Sequence, residues 1–229
     1  MATLSIVATP IGNLQDITLR AIETLKEVDA ILCEDTRVTV KLLAHFEIHK
    51  PLIAYHQHSG KGVDDRVLAM LHEGKNLALV SDAGTPGIND PGGRLIELLL
   101  VEIPDLRVVP IVGANAGVAA LSVSGFPADR YQYWGFVPHK KGRQTFVREL
   151  AESEDTIVFY ESKYRIEKCL AEMKDAFVVA ETPHRPILVA RELTKKFETL
   201  YRGTVEEVAA ALSADEVLGE FVVVVGPKR

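Results

Sequence analysis

Residues 81–93, SDAGTPGINDPGG, place two acids, four glycines and two prolines directly behind the apolar run NLALV (76–80). A buried strand that ends in a loop with so little side-chain bulk presents its backbone to something. Gly84 and Gly87 let the main chain approach closely, while Pro86 and Pro91 stiffen it, so that backbone N–H and C=O groups can read a purine edge. Asp82 and Asp90 have two readings: contact with ribose hydroxyls or an ammonium group, or capping of a turn and of a helix opening at Pro91. Capping suits Asp90, whereas Asp82, at the strand end, suits ligand binding or site organisation. Neither G-x-G-x-x-G between a strand and a helix nor G-x-x-x-x-G-K-[ST] occurs, so a pyrophosphate-cradling loop is not supported. A ligand with adenosine but no pyrophosphate fits these loops better.

The elements that must position this loop follow from period and punctuation. LSIVAT (4–9), AILCE (30–34), PLIAYH (51–56), NLALVS and LRVVPIV (106–112) read as strands. Between them DITLRAIETLKEV, VTVKLLAHF, VDDRVLAMLHEG and GGRLIELLLVE read as helices, with Gly74 ending the third. This alternation predicts a largely parallel sheet with helices on its faces. Ligands of such sheets bind outside the carboxyl ends of the strands. Four of those ends carry unusual loops: TPIGN (9–13), EDTR (34–37), SDAGTPGINDPGG and IVGANAG (111–117).

The second half changes grammar. YQYWGFV, DTIVFYES, AFVVAE, ILVAREL, ETLYRG and EFVVVVG read as strands, with only RQTFVRELAES, YRIEKCLAEM and VEEVAAALS as helices between them. Six strands to three helices require some hairpins or short turns. The expected architecture is α/β with two α/β domains, residues 1–115 with a parallel sheet and residues 116–229 with a mixed sheet, and a ligand cleft between them.

Charge sharpens the division. The net charge of −6 argues against a protein that coats itself with nucleic acid, but residues 1–127 carry −5 and residues 128–229 only −1. HKKGRQTFVR (139–148) holds four cations and no acid, and HRPILVARELTKK (184–196) four cations and one acid. These are either solvated faces or a local phosphate-binding surface. No apolar run is long enough to span a bilayer, MATLSIVATP lacks the basic start of a signal peptide, and Cys33 and Cys169 stand apart. A soluble, cytoplasmic protein is expected. His56 with His58 and His45 with His49 have ligand spacing, but no acid or cysteine cluster accompanies either, so no metal is expected.

VATPIGNLQDITLRAIETLKEVDAILCEDTR, ALVSDAGTPGINDPG, GFVPHKKGR, TIVFYES and VARELTKKFETLYRGT together resemble the ribosomal RNA small subunit methyltransferase I family, over residues 4 to 226. That family lies within the tetrapyrrole methylase-like, class III methyltransferases. The resemblance implies 2′-O-methylation of a cytidine in the decoding region of 16S rRNA on the 30S subunit, two α/β domains with S-adenosyl-L-methionine (AdoMet) in their cleft, and a homodimer. It places the cofactor against Pro10, Ile11 and Gly12, against Asp82, Gly84 and Thr85, and against Asn115, Ala116, Tyr160, Glu161, Leu193 and Thr194. The chain departs from the family pattern at Val112 and Asn115 in PIVGANA, and at Lys163 and Tyr164 in FYESKYR.

Methyl transfer to an oxygen needs mainly alignment, which supplies roughly 7–11 kcal/mol of a barrier. A base, or a cation that stabilises developing alkoxide, adds a factor of about 10² to 10⁴. Asp35 as proton acceptor with Arg37 on phosphate is one reading of EDTR, and an Asp–Arg pair that organises the loop is the other. Glu161, Arg191 and Lys195 are comparable candidates in the second half. An RNA substrate also needs backbone neutralisation, for which Lys140, Lys141, Arg143, Arg185 and Lys196 are the candidates, and a splayed nucleotide, for which Tyr133, Trp134, Phe136 or Tyr164 offers a ring. A small-molecule methyltransferase would not need the basic stretches, and a non-catalytic RNA-binding module would not need four specialised loops. Their joint presence favours the RNA enzyme.

Overall fold

The computed structural model describes residues 2–56, 59–90, 92–215 and 217–228, which form two compact units, Met1–Asn115 and Ala116–Arg229. In the first unit, strands β1 (Thr3–Val7), β2 (Ala30–Cys33), β3 (Leu52–Ala54), β4 (Leu77–Val80) and β5 (Arg107–Ile111) alternate with helices α1 (Leu19–Glu27), α2 (Thr36–His45), α3 (Lys61–His72) and α4 (Gly93–Glu102). All strand pairs are parallel, in the order β3-β2-β4-β1-β5. The side-chain period of two explains how the central strands serve both faces. Leu32, Leu77 and Leu79 pack with Val67, Leu71, Leu95 and Leu99 of α3 and α4, while Ile31, Cys33, Ala78 and Val80 pack with Ala21, Leu25 and Leu43 of α1 and α2. Pro110 is tolerated because β5 is an edge strand.

The neighbours β4 and β1 send their following helices, α4 and α1, to opposite faces of the sheet. Their outgoing loops therefore diverge, which is the topology that opens a crevice at the carboxyl edge of an α/β sheet.

The second unit holds α5 (Ala116–Ser124), β6 (Tyr131–Phe136), α6 (Arg143–Glu152), β7 (Thr156–Ser162), α7 (Ile166–Val179), β8 (Ile187–Arg191), β9 (Thr199–Gly203), α8 (Val205–Ser213) and β10 (Glu220–Val225). Its sheet runs β6-β7-β10-β8-β9, with β6 and β7 parallel and the remaining pairs antiparallel. One face packs on α5 through Ala120 and Leu121, the other on α6, α7 and α8. AFVVAE (176–181), expected as a strand, is instead the end of α7 and the turn after it. Ile166, Cys169, Leu170, Met173 and Phe177 recur at helical spacing and are buried, whereas Val179 is 84% exposed. Five strands result, and β8–β9 is the one hairpin connection between consecutive strands among the described residues.

Candidate functional site

The carboxyl edge of the first sheet is assembled by backbone. Thr9, just beyond β1, and Gly84, beyond β4, form a two-way bridge, Thr9 N to Gly84 O at 2.9 Å and Gly84 N to Thr9 O at 3.0 Å. Gly84 takes φ +85°, a conformation that glycine adopts without penalty. The Thr9 hydroxyl donates to Ser81 O at 3.0 Å, and the Thr85 hydroxyl to Ala114 O at 3.1 Å, tying in the loop after β5. There the main chain passes so close to β1 that a Cβ on Gly113 would lie 2.9 Å from that of Ala8. Pro10, Ile11, Gly12, Asp82, Gly84, Thr85 and Asn115 all lie on these three loops. The amides of Ile11, Gly12, Ala83 and Thr85 donate to no acceptor among the described residues. The edge is thus a rigid main-chain cradle with donors to spare, and it fits a nucleoside better than a pyrophosphate, which would call for a run of amides at a helix start.

Acidic side chains crowd the same edge. Asp82 Oδ1 accepts from Asp35 N at 3.1 Å, joining the loops after β4 and β2. Asp35 is the N-cap of α2, accepting from Arg37 N at 2.8 Å, and chelates the Arg37 guanidinium. The hydrogen bond from Arg37 pulls its pKa down to about 2, so Asp35 is a poor proton acceptor at neutral pH, and the pair organises its loop. Arg37 itself points out, with 87% of its side chain exposed. Asp90 does not cap the next helix. The N-cap of α4 is Gly92, which offers no side chain, and Pro91 lies outside the described residues. Asp90 is partly buried instead; desolvation, then Glu34 and Asp82, push its pKa up to about 6 against a hydrogen bond from Ser81. Burial also raises Glu34, helped by Asp82 and opposed by His56. Asp90, assigned a capping role by its spacing, is therefore a partly buried carboxylate on this edge with a raised proton affinity, as Glu34 is. Burial decides this, with Glu34 and then Asp82 adding to it, and sequence carries no signal of either.

In the second unit, the carboxyl ends of β6, β7 and β8 and the start of β10 share one edge. Here the acids are paired. Glu161 is fully buried, with Arg165 Nη2 at 2.8 Å, Arg143 Nη1 at 3.4 Å and the Ser162 amide at 2.6 Å. Glu161, a candidate catalytic residue by sequence, is thus already engaged by two guanidinium groups and a backbone amide. Lys195 bridges Glu192 at 2.9 Å and Glu220 at 2.7 Å. Burial lowers its pKa, but the two carboxylates outweigh that and raise it, so Lys195 is a fixed cation and not a base. Tyr160 OH accepts from Gly117 N at 3.0 Å in the first turn of α5, which begins at Ala116. Leu193 and Thr194 lie in the β8–β9 loop. Thr194 takes φ +67°, and its hydroxyl is buried without a partner among the described residues. A buried hydroxyl of this kind needs a hydrogen-bond partner that the described residues do not supply.

The predicted RNA-binding cations separate into two groups. Lys140, Lys141 and Lys196 are exposed. Arg185 is 4% exposed, and its guanidinium donates to Gly226 O at 2.7 Å, Leu150 O at 2.8 Å, Ala151 O at 3.4 Å and Asp155 O at 3.0 Å, so it is an internal brace. Desolvation lowers its pKa to about 10, which leaves it charged. Arg143 is likewise buried, held by Glu172 at 2.7 Å and by Glu161. Of the rings, Tyr164 is 84% and Phe136 54% exposed, whereas Tyr133 and Trp134 pack on the core clusters. His45 ends α2 and His49 lies beyond it, so the two do not share a helix face; His58 lies outside the described residues.

The fold and the backbone cradle define a class, and residues 3–209 match the family Tetrapyrrole (Corrin/Porphyrin) Methylases. Among solved structures, the cobalamin biosynthetic enzyme cobalt precorrin-4 methyltransferase superposes with a TM-score of 0.71 over 98% of this chain and 94% of that one, at 18% identity. Diphthine synthase gives 0.71 over 99% and 90%, at 12% identity. Sequence narrows the class further. The chain is 46% identical to Ribosomal RNA small subunit methyltransferase I of Synechocystis sp. over 98% of its own length and 79% of the relative's. It is 41% identical to the protein of that name from Thermotoga maritima over the whole of both chains. The chain belongs to the tetrapyrrole methylases and, within them, to the ribosomal RNA small subunit methyltransferase I family. AdoMet is the methyl donor of this family.

Proposed function

We propose that this protein is an AdoMet-dependent ribosomal RNA methyltransferase that modifies the 2′-oxygen of a cytidine in the decoding region of 16S rRNA, on the 30S subunit. The observation that carries the reading is the likeness over nearly the whole of this chain, at 41% and 46% identity, to enzymes named for the small-subunit RNA, against 12% to 20% for small-molecule and diphthine enzymes of the same fold. Exposed lysines on the second unit support it, since a small-molecule enzyme needs none of them.

AdoMet, when bound, supplies a methyl group on a sulfonium, an electrophile that needs no further activation. The residues that would hold it are Pro10, Ile11, Gly12, Asp82, Gly84, Thr85 and Asn115 of the first unit and Ala116, Tyr160, Leu193 and Thr194 of the second. The open amides of Ile11, Ala83 and Thr85 suit a purine edge, and Asp82 suits a ribose or an ammonium group. What the chain must add for an oxygen nucleophile is alignment and somewhere for the hydroxyl proton to go. Asp90 takes that proton, since its affinity is poised near neutrality, and Asp35 does not. Arg37, fixed by Asp35 and exposed, holds a phosphate beside the target ribose.

The test is methyl transfer from labelled AdoMet to 30S particles that lack the modification, read by nucleoside mass spectrometry. The expected product is 2′-O-methylcytidine. Methylation of a base, or of a small acceptor alone, would refute the ribose assignment, and failure to bind AdoMet would refute the enzyme. Asp90→Asn should lower the transfer rate by about 10² or more with AdoMet affinity little changed.

A further inference from the structure

The turn before α6 lines a cavity of about 470 Å³ formed by His139, Lys140, Lys141, Arg143, Lys168 and Glu172 with the first residues of the helix. Helix α6 has ten residues, and its N-cap, Gly142, sits in the left-handed region at φ +87° with no side chain to accept the first-turn amides. No acid occupies that first turn, so the positive end of the helix faces the cavity uncompensated. An independent observation points the same way. The Arg143 side chain is 7% exposed; its Nε and Nη1 are bound to Glu172, Pro138 O and Glu161, yet its Nη2 is buried with no partner among the described residues. A buried guanidinium nitrogen left without an acceptor is costly unless a ligand completes it. Glu172 does not cancel the site, because Arg143 and Lys168, at 2.7 Å and 3.8 Å, already share its charge.

From these features we infer that the α6 cavity is a built phosphate-binding pocket, and that its occupant is a backbone phosphate of the RNA substrate. The inference rests on the ribosomal RNA reading for its occupant, but not for the pocket itself. Arg143 is the buried anchor, braced by Glu161 and Glu172 so that its planar fork holds one orientation. The amides of Gln144 and Thr145 supply the helix-terminus donors, and Lys140, Lys141 and Lys168 supply mobile cations at the mouth. Lys168 is not part of either basic stretch in the sequence; the fold of α7 against α6 brings it there. A cavity of this volume admits a phosphodiester with part of its flanking riboses, consistent with an occupant larger than a free ion.

Inorganic phosphate titrated into the isotope-labelled full chain, read at the Gln144 and Thr145 amides, tests the pocket without any methyl transfer. Saturable shifts, weakened about 10-fold in Lys168→Glu, are expected. No saturable shift, or one unaltered in both Lys168→Glu and Lys140→Glu, would overturn the pocket. A short RNA hairpin should displace the phosphate, and each charge reversal should lower the slope of log affinity against log salt by about 1. Phosphate that binds but resists displacement by RNA would refute the RNA occupant. Wild-type protein that methylates 30S particles while Lys140→Glu and Lys168→Glu bind them equally well would refute the pocket's role and leave the function standing. Arg143→Lys, which keeps the charge near Glu161 and Glu172 but loses the fork, should fold and lose phosphate binding; retained binding would show that Arg143 is only structural.

Discussion

The two units carry their acids differently at the sheet edge that bears the loops. In the first, Glu34, Asp82 and Asp90 gather without a cation bound to any of them in the described residues, and burial with mutual repulsion raises Glu34 and Asp90. In the second, Glu161, Glu172, Glu192 and Glu220 are each paired with Arg143, Arg165, Lys168 or Lys195. Glu192 shows the contrast: burial raises its pKa, but the hydrogen bonds from Lys195 and the Glu220 amide outweigh that and lower it. Unpaired carboxylates are costly to the fold and available for chemistry, whereas paired ones stabilise loops and are chemically quiet. The first edge therefore holds Glu34, Asp82 and Asp90 without a cation partner among the described residues, beside the paired Asp35, and the carboxylates of the second are held in ion pairs.

The largest test of this contrast removes a brace. Arg185→Ala leaves the carbonyls of Gly226, Leu150 and Asp155 buried without their donor, and chemical denaturation should show a loss of about 3–5 kcal/mol. Lys196→Ala, an exposed cation from the same basic stretch, should change stability by no more than about 0.5 kcal/mol and affect only RNA affinity. Equal losses would mean that the division into internal and external cations is wrong.

A smaller effect of opposite sign belongs to the first edge. Because the folded pKa of Asp90 is raised, its contribution to stability is full below about pH 4 and is lost as pH rises through about 6. Asp90→Asn should thus be more stable than the wild type at pH 8, by roughly 1–2 kcal/mol after allowance for solvent screening, and indistinguishable from it near pH 4. Melting curves at the two pH values read this directly. A variant that is destabilised at pH 8 would place Asp90 among the structural acids.

The backbone cradle can be strained with one methyl group. Gly84→Ala keeps ordinary space, 3.6 Å to Ile11 Cγ2, but forces an L residue to φ +85°, costing about 1 kcal/mol. Calorimetry should show AdoMet affinity falling by about 10-fold, out of proportion to the stability loss, because the bridge to Thr9 shifts. The smallest expected effect on function comes from Thr204→Ala, which removes the capping box of α8 with Glu207. It should cost about 1 kcal/mol and leave methyl transfer unchanged.

Much of this molecule could be read in advance from particular residues. Apolar runs of four to six residues separated by helical periods specify the parallel sheet of the first unit, and glycine with proline behind NLALV marks the cradle, because those signals are local. The strand expected at AFVVAE failed because residues 176–181 taken alone favour a strand, while the period that buries Phe177 starts eleven residues earlier at Ile166. Charge misled for the same reason. Arg185 and Lys196 look alike in the chain, and only the surrounding carbonyls distinguish them.

Sequence by itself determined the alternation of elements, the loops that carry backbone to the sheet edge, and the family. Tertiary structure alone decided which ionisable groups are available: that Asp90 is poised near neutrality, that Glu161 is sealed in an ion-pair network, and that Lys168 joins Arg143 at the start of α6. Desolvation and Coulomb interaction depend on distances between residues far apart in the chain, which no local pattern encodes.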